Sequence, residues 1–311
     1  MRVGAIDCGT NSIRLLVADV DGPLLEEVVR EMTIVRLGEG VDRTGAFSQA
    51  ALDRTFAACD AYAATIRGLS VERLRFVATS ASRDVSNRSA FVDGVRDRLG
   101  IAPEVISGAE EARLSFRGAV EGLPADLIAM PTLVVDIGGG STEFVLGDRS
   151  GGGAADVKAA VSVNIGCVRM TERHLQGDPP TSEEIARVES DVAAALDDAA
   201  RAVPLERARS LVGVAGTVTT LVALIHDLPA YEPAAIHGRG ATLAQIDEVT
   251  ERLLVMPRAE RAELPVMHPG RVDVIGGGAL VLRAIMRRTG LPVIASETDI
   301  LDGVARSLAD D

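Results

Sequence analysis

The sequence predicts an α/β chain made of two copies of one domain. Three observations predict it. First, Asp7-Cys8-Gly9-Thr10-Asn11-Ser12 and the residues up to Asp19 return as Asp136-Ile137-Gly138-Gly139-Gly140-Ser141 and the residues up to Asp148. Second, each copy follows a short apolar run and precedes another, so each reads as strand, tight turn, strand, with an aspartate closing the first strand. Third, both halves continue in one order: three strands, then helix, strand, helix, strand. A repeat of that length indicates duplicated domains, not a solenoid. With 311 residues there is room for two. They are expected at residues 1–125 and 126–311, with the last helix, about 299–309, packing back on the first.

The elements follow in order. Strand 3–6 and its partner after Ser12 end at Asp21-Gly22, a hairpin signal. Residues 24–37 carry enough Val, Ile and Leu for a third strand, and 38–45 read as a loop. Ser48 can cap a helix over 49–67, stopped by Gly68. Residues 74–78 form a buried strand ending in the polar turn 79–83. A helix over 89–99 stops at Gly100, and strand 104–107 leads to a helix over 110–120. Residues 122–131 look like a linker. In the second half, strands are expected at 132–137, 142–147 and 157–165, with a turn over 150–153 between the last two. Helices follow at 168–175 and 182–202, the latter opened by a Thr181/Glu184 capping box. Then come strand 211–215, a helix opened by residues 216–220, helices at 243–255, 258–263 and 272–288, and strand 292–295.

Composition narrows the function. The formal charge is −13, which argues against a broad basic face for long nucleic acid. No apolar run reaches the length of a membrane span. The N-terminus goes straight into a strand pattern without the apolar core of a leader. Three scattered cysteines without a CxxC fit a reducing cytoplasm and offer no disulfide framework. The four histidines stand far apart and form no metal motif, and the cysteines read as small core residues.

The two turns carry the chemistry. A glycine-rich turn lets backbone N–H groups approach an anion closely. Gly9, Thr10, Asn11 and Ser12 fit that role in the first copy, and Gly138, Gly139, Gly140 and Ser141 in the second. Two such turns face to face would grip phosphate from both sides of a cleft. Asp7 and Asp136 interrupt apolar strands at their ends, where a lone buried carboxylate is costly. Mg²⁺ is the expected partner, since it takes one or two carboxylates and keeps waters. Glu143, charged within an apolar strand, joins Asp7 and Asp136 as a candidate metal residue. The pattern GxxxxGK[ST] is absent, so this is not a P-loop.

The paired turns resemble the phosphate clefts of the actin, hexokinase and Hsp70 superfamily. Within it, four segments come in family order at similar spacing: 6–12, Ala78-Thr79-Ser80-Ala81-Ser82-Arg83-Asp84, Ile106-Ser107-Gly108-Ala109-Glu110-Glu111-Ala112-Arg113, and 135–143. Together they resemble the exopolyphosphatase and guanosine pentaphosphate phosphohydrolase family. The resemblance implies two duplicated actin-like (ribonuclease H-like) domains with an interdomain cleft. It also implies hydrolysis of terminal orthophosphate from inorganic polyphosphate. The alternatives are guanosine pentaphosphate as substrate, or a polyphosphate- or nucleotide-binding regulator with little catalysis. Longer members add helical C-terminal domains that are lacking here, which puts processive handling of long polymers in doubt.

Read from the residues alone, Glu110 and Glu111 are both candidates for a base at the start of a helix. The resemblance chooses Glu111. It also makes Arg83 a phosphate clamp, a role that suits the guanidinium fork. Arg14, on the strand after the first turn, is a weaker candidate. His268-Pro269-Gly270-Arg271 precedes a helix and is a candidate contact for the polymer. The glycine-rich segments 213–217 and 276–278 stand where the superfamily approaches a nucleotide, and close helix packing explains them equally well. A homodimer is expected from the resemblance alone.

Overall fold

The computed structural model describes all residues except 23, 80, 81, 84, 150–154, 310 and 311, and the side chains of 42 and 155. The expected turn over 150–153 and part of the 79–83 turn lie outside the described residues. The chain divides into unit 1, residues 1–118 and 300–311, and unit 2, residues 119–299.

Unit 1 opens with the antiparallel strands β1 (Arg2–Cys8), β2 (Ser12–Asp21) and β3 (Leu24–Ile34). β4 (Arg73–Ala78) and the short β5 (Glu104–Val105) run parallel to β1, giving the order β3-β2-β1-β4-β5. Between them lie α1 (Val41–Thr44), α2 (Gln49–Gly68) and α3 (Arg88–Leu99). The 38–45 segment, expected as loop, contains the single turn α1 because Gly40 and Gly45 both take left-handed backbone and bracket it. Ser48 caps α2 as expected, its Oγ accepting from Ala51 N.

Alternation along the strands sends Ile6, Cys8, Ile13, Leu15 and Val17 to one core, with Leu52, Cys59 and Tyr62 of α2 and Phe91 of α3. Val3, Ala5, Leu16 and Ala18 go to the other face. There Leu114 of α4 (Gly108–Glu121) and Ile300, Leu301 and Val304 of α12 (Ile300–Ser307) cover them. The C-terminal helix therefore belongs to the unit that begins the chain.

Unit 2 repeats the plan. β6 (Thr132–Ile137), β7 (Thr142–Arg149) and β8 (Ala155–Val163) form the meander, and β9 (Ser210–Val214) and β11 (Val293–Ala295) extend it in parallel. The order is β10-β11-β9-β6-β7-β8. The edge pair β10 (Gly240–Ala241) and the turn α8 (Pro233–Ile236) were not expected, being too short to show periodicity. α5 (Cys167–His174), α6 (Ser182–Ala202), α7 (Ala215–Ile225), α9 (Leu243–Val255) and α10 (Arg258–Ala262) follow the reading closely. α11 (Ile275–Thr289) starts later than expected, after a 3-10 turn at Pro269–Arg271.

The boundary falls inside α4, not at 125/126. Residues 122–131, read as a linker, are tied into unit 2. Arg149 Nη2 donates to the carbonyls of Val120 and Leu123, Ala129 N donates to Ser210 Oγ (2.8 Å), and Arg209 N to Pro131 O (2.9 Å). A charged side chain holding two helix-end carbonyls fixes that segment to β7.

Candidate active site

Both turns close with the same bond. Gly9 N donates to Ser12 O and Gly138 N to Ser141 O, each at 3.0 Å. In unit 1 the carbonyls inside the turn face the segment after β3. Thr10 O accepts from Gly38 N (2.9 Å), and Asn11 O accepts from Val35 N (3.0 Å) and Arg36 N (2.9 Å). In unit 2 they face the start of α5: Gly138 O accepts from Cys167 N (2.9 Å), and Gly139 O from Val168 N (2.9 Å) and Arg169 N (3.0 Å). The eight residues expected to cradle phosphate thus form two like-shaped turns, one per unit.

The aspartates end up in different company. Asp7, 5% exposed, lies opposite Arg14 in the β1–β2 ladder and accepts from its Nη2 (2.6 Å) and Nε (3.2 Å). Asp136 lies opposite Glu143 in the β6–β7 ladder. Residues directly opposite in a ladder share a sheet face, so Asp136 and Glu143 put two acids side by side. That face is opposite the one that carries Val135, Ile137, Phe144 and Leu146 into the unit 2 core.

Glu143 is 4% exposed, and its Oε1 accepts from Ser141 Oγ and Ser162 Oγ, both at 2.6 Å. Ser162 is its register partner on β8, where unit 1 has Met32 opposite Arg14. The sequence reading missed Ser162; its signal was a hydroxyl within an apolar strand. Ser141, read as a phosphate donor, gives its hydroxyl to Glu143, because residues two apart on an extended chain share a face.

Among the described residues no group of three or more His, Cys, Asp or Glu converges as a metal cluster. The donor chemistry of Asp136 and Glu143 nonetheless suits Mg²⁺, which binds through one or two carboxylates and completes its shell with water and phosphate oxygen. Asp7 is engaged by Arg14 in the unit 1 counterpart of that pair.

The two glutamates at the start of α4 part company. Ser107 Oγ accepts from Glu110 N (3.2 Å), so the serine of this segment caps the helix. Glu110 turns its carboxylate to Arg113 (2.8 Å) and Arg75 (3.5 Å). The Arg113 hydrogen bond, ahead of burial and with help from Arg75, holds its carboxyl below the ordinary range. Glu111, about 100° further round the helix, is 7% exposed and accepts from Arg83 Nη2. Arg83 Nε donates to Ile106 O (3.1 Å), which anchors the guanidinium beside the strand end. The two residues singled out by the resemblance are therefore bonded to each other within unit 1.

The remaining candidates make close packing contacts. A Cβ at Gly213 would stand 2.7 Å from Val218, at Gly277 2.6 Å from Thr171, and at Gly278 2.5 Å from Thr217. These glycines let β9, α5, α7 and α11 approach closely. Arg271 lies against Gly216, donates to Thr220 Oγ1 (2.8 Å) and sits 5.2 Å from the Tyr231 ring centroid. His268 caps the 3-10 turn by accepting from Gly270 N (3.1 Å); burial, then Arg271, lowers its pKa. His174, His226 and His237 each bond a different neighbour. All three cysteines are buried and free. No helix among the described residues is long and apolar enough to cross a membrane.

Comparisons with known proteins agree with this architecture. Exopolyphosphatase 2 of Mycobacterium tuberculosis is 52% identical over 322 aligned positions, covering 99% of this chain and 98% of that protein. A solved structure described as an exopolyphosphatase-like protein is 43% identical, with a TM-score of 0.93 over 100% of this chain and 99% of the other. The Aquifex aeolicus Ppx/GppA family member is 30% identical, with a TM-score of 0.82 over 100% and 99%. The sequence model described as the Ppx/GppA phosphatase family matches residues 16–305. The repeated strand order, the paired turns and this end-to-end similarity lead to one conclusion: the chain belongs to the Ppx/GppA phosphatase family.

Proposed function

We propose that this chain is an exopolyphosphatase, releasing orthophosphate from the end of inorganic polyphosphate. Its similarity to Exopolyphosphatase 2 along essentially the whole length carries the reading. The site chemistry supports it. Each unit supplies a tight turn of a kind that suits an anion, and unit 1 adds a buried carboxylate with an arginine on it.

In this reading Glu111 accepts the proton of the attacking water as the water oxygen forms its bond to the terminal phosphorus. Arg83 exchanges Glu111 for the phosphoryl oxygens, and its fork follows the charge that builds there. The turns over Gly9–Ser12 and Gly138–Ser141 donate N–H groups to phosphate oxygens, and positioning with charge stabilisation supplies most of the rate. Asp136 and Glu143 would hold Mg²⁺, which when bound would offset phosphate charge. The buried thiols fit a reducing, cytoplasmic setting.

The test is phosphate release by purified protein with Mg²⁺ from short polyphosphate, long polyphosphate and guanosine pentaphosphate, side by side. Release from polyphosphate is the expected result. Release from guanosine pentaphosphate alone would replace the substrate, and release from none would end the enzymatic reading.

A further inference from the structure

Arg169 fills a role in unit 2 for which unit 1 uses main chain. The carbonyl of Gly140 corresponds to that of Asn11 in the repeat. Asn11 O is held by two backbone N–H groups, whereas Gly140 O accepts from the side chain of Arg169, Nε to O at 2.6 Å. Together with the Gly138 and Gly139 bonds, all three carbonyls of the glycine run point toward α5. In a planar trans peptide the N–H of the next residue points the opposite way. The N–H groups of Gly139, Gly140 and Ser141 are therefore turned away from α5, side by side, as an anion nest requires.

Glycine peptides flip readily, because no Cβ restricts them. The Gly138 and Gly139 carbonyls are held by N–H groups of α5 itself. The Gly140 carbonyl is held by a side chain, so that peptide depends on the residue at 169. Gly166 makes the approach feasible: a Cβ there would run into the Gly139 carbonyl and Gly140 N.

We propose that Arg169 is a positioning residue of the second phosphate turn, orienting the Gly140–Ser141 peptide so that its N–H meets a phosphate oxygen. The proposal rests on the phosphate-binding reading of that turn. It adds a residue that acts through the backbone, not by direct contact with substrate.

The experiment compares wild type, R169M, R169K and R173M. It measures polyphosphate hydrolysis, thermal melting and binding of tripolyphosphate by calorimetry. R169M is expected to bind tripolyphosphate about tenfold more weakly and to lose about 10- to 100-fold in kcat/KM. R169K has no Nε–H to give, so it too loses affinity, by a smaller factor. R173M, one turn along α5 and paired with Asp191 (2.7 Å) in wild type, controls for charge and keeps wild-type affinity. R169M or R169K at wild-type affinity overturns the proposal, whatever its melting temperature, and so does R173M matching R169M. If R169M does not fold, R169K decides. Should wild type release no phosphate while R169M still loses tripolyphosphate, the assigned activity falls and the role of Arg169 stands.

Discussion

Glu143 occupies in the second unit the place that Arg14 occupies in the first. Each lies directly across the ladder from the aspartate that closes the preceding strand. One position of a duplicated fold has thus reversed its charge. In unit 1 the aspartate has an arginine at 2.6 Å; in unit 2 it has a second acid, steadied by two serine hydroxyls. Two like charges directly opposite on one sheet face disfavour each other, so under the proposed function Asp136 and Glu143 are the pair expected to respond to Mg²⁺.

Substitution at that pair separates the two aspartates. D136N is expected to raise the Mg²⁺ concentration for half-maximal phosphate release at least about tenfold. D7N removes the charge that Asp7 offers Arg14 and is expected to lower activity without that shift. Metal titrations of both variants check this, and equal shifts would return Asp7 to the metal.

At Glu111, the E111Q variant should lose roughly 10²- to 10⁴-fold in kcat while keeping tripolyphosphate affinity. E110Q, which loses only the Arg113 and Arg75 contacts, should stay within a few-fold of wild type. Steady-state kinetics of the pair decides whether buried Glu111 or half-buried Glu110 does the chemistry.

Gly166 has no room for a methyl group against the Gly139–Gly140 backbone. G166A must push α5 off the turn, and displacement of about 1 Å at a reacting site costs on the order of 10²-fold. The expected result is a fall in kcat/KM of that order, read by initial rates. An unchanged rate would show that the turn does not depend on its α5 backing.

Gly303 makes a comparable contact in unit 1, where an added Cβ would meet the Leu114 carbonyl. G303A is expected to destabilise unit 1 by about 1–3 kcal/mol, the usual cost of overpacking. Urea denaturation measures it. A neutral result would mean that α12 packs loosely on α4.

Stability also carries a pH dependence from the α6 capping box. Glu184 accepts from Thr181 N (2.7 Å), Gln176 N (3.0 Å) and Gly177 N (3.1 Å), and these bonds hold its carboxyl below the ordinary 4.5. A depressed folded-state value stabilises above the unfolded one and loses that contribution as pH falls through the folded one. The melting-temperature gap between wild type and E184Q should be full above pH 4.5 and close below it.

The sequence by itself determined the repeat, the strand–turn–strand shape of both glycine-bearing turns and nearly all helix bounds. Those features are local, since turn glycines, capping residues and apolar periodicity act within a few positions. Family resemblance in four segments then singled out Arg83 and Glu111. Tertiary structure decided what depends on register and packing between distant segments. It paired Asp7 with Arg14 but Asp136 with Glu143, brought Ser162 and Arg169 to the second turn, and gave the C-terminal helix to unit 1. It also moved the boundary into α4, because Arg149 reaches from β7 to fix that helix end. A cross-strand neighbour is set by which ladder forms, and ladders join residues that no short window of sequence contains.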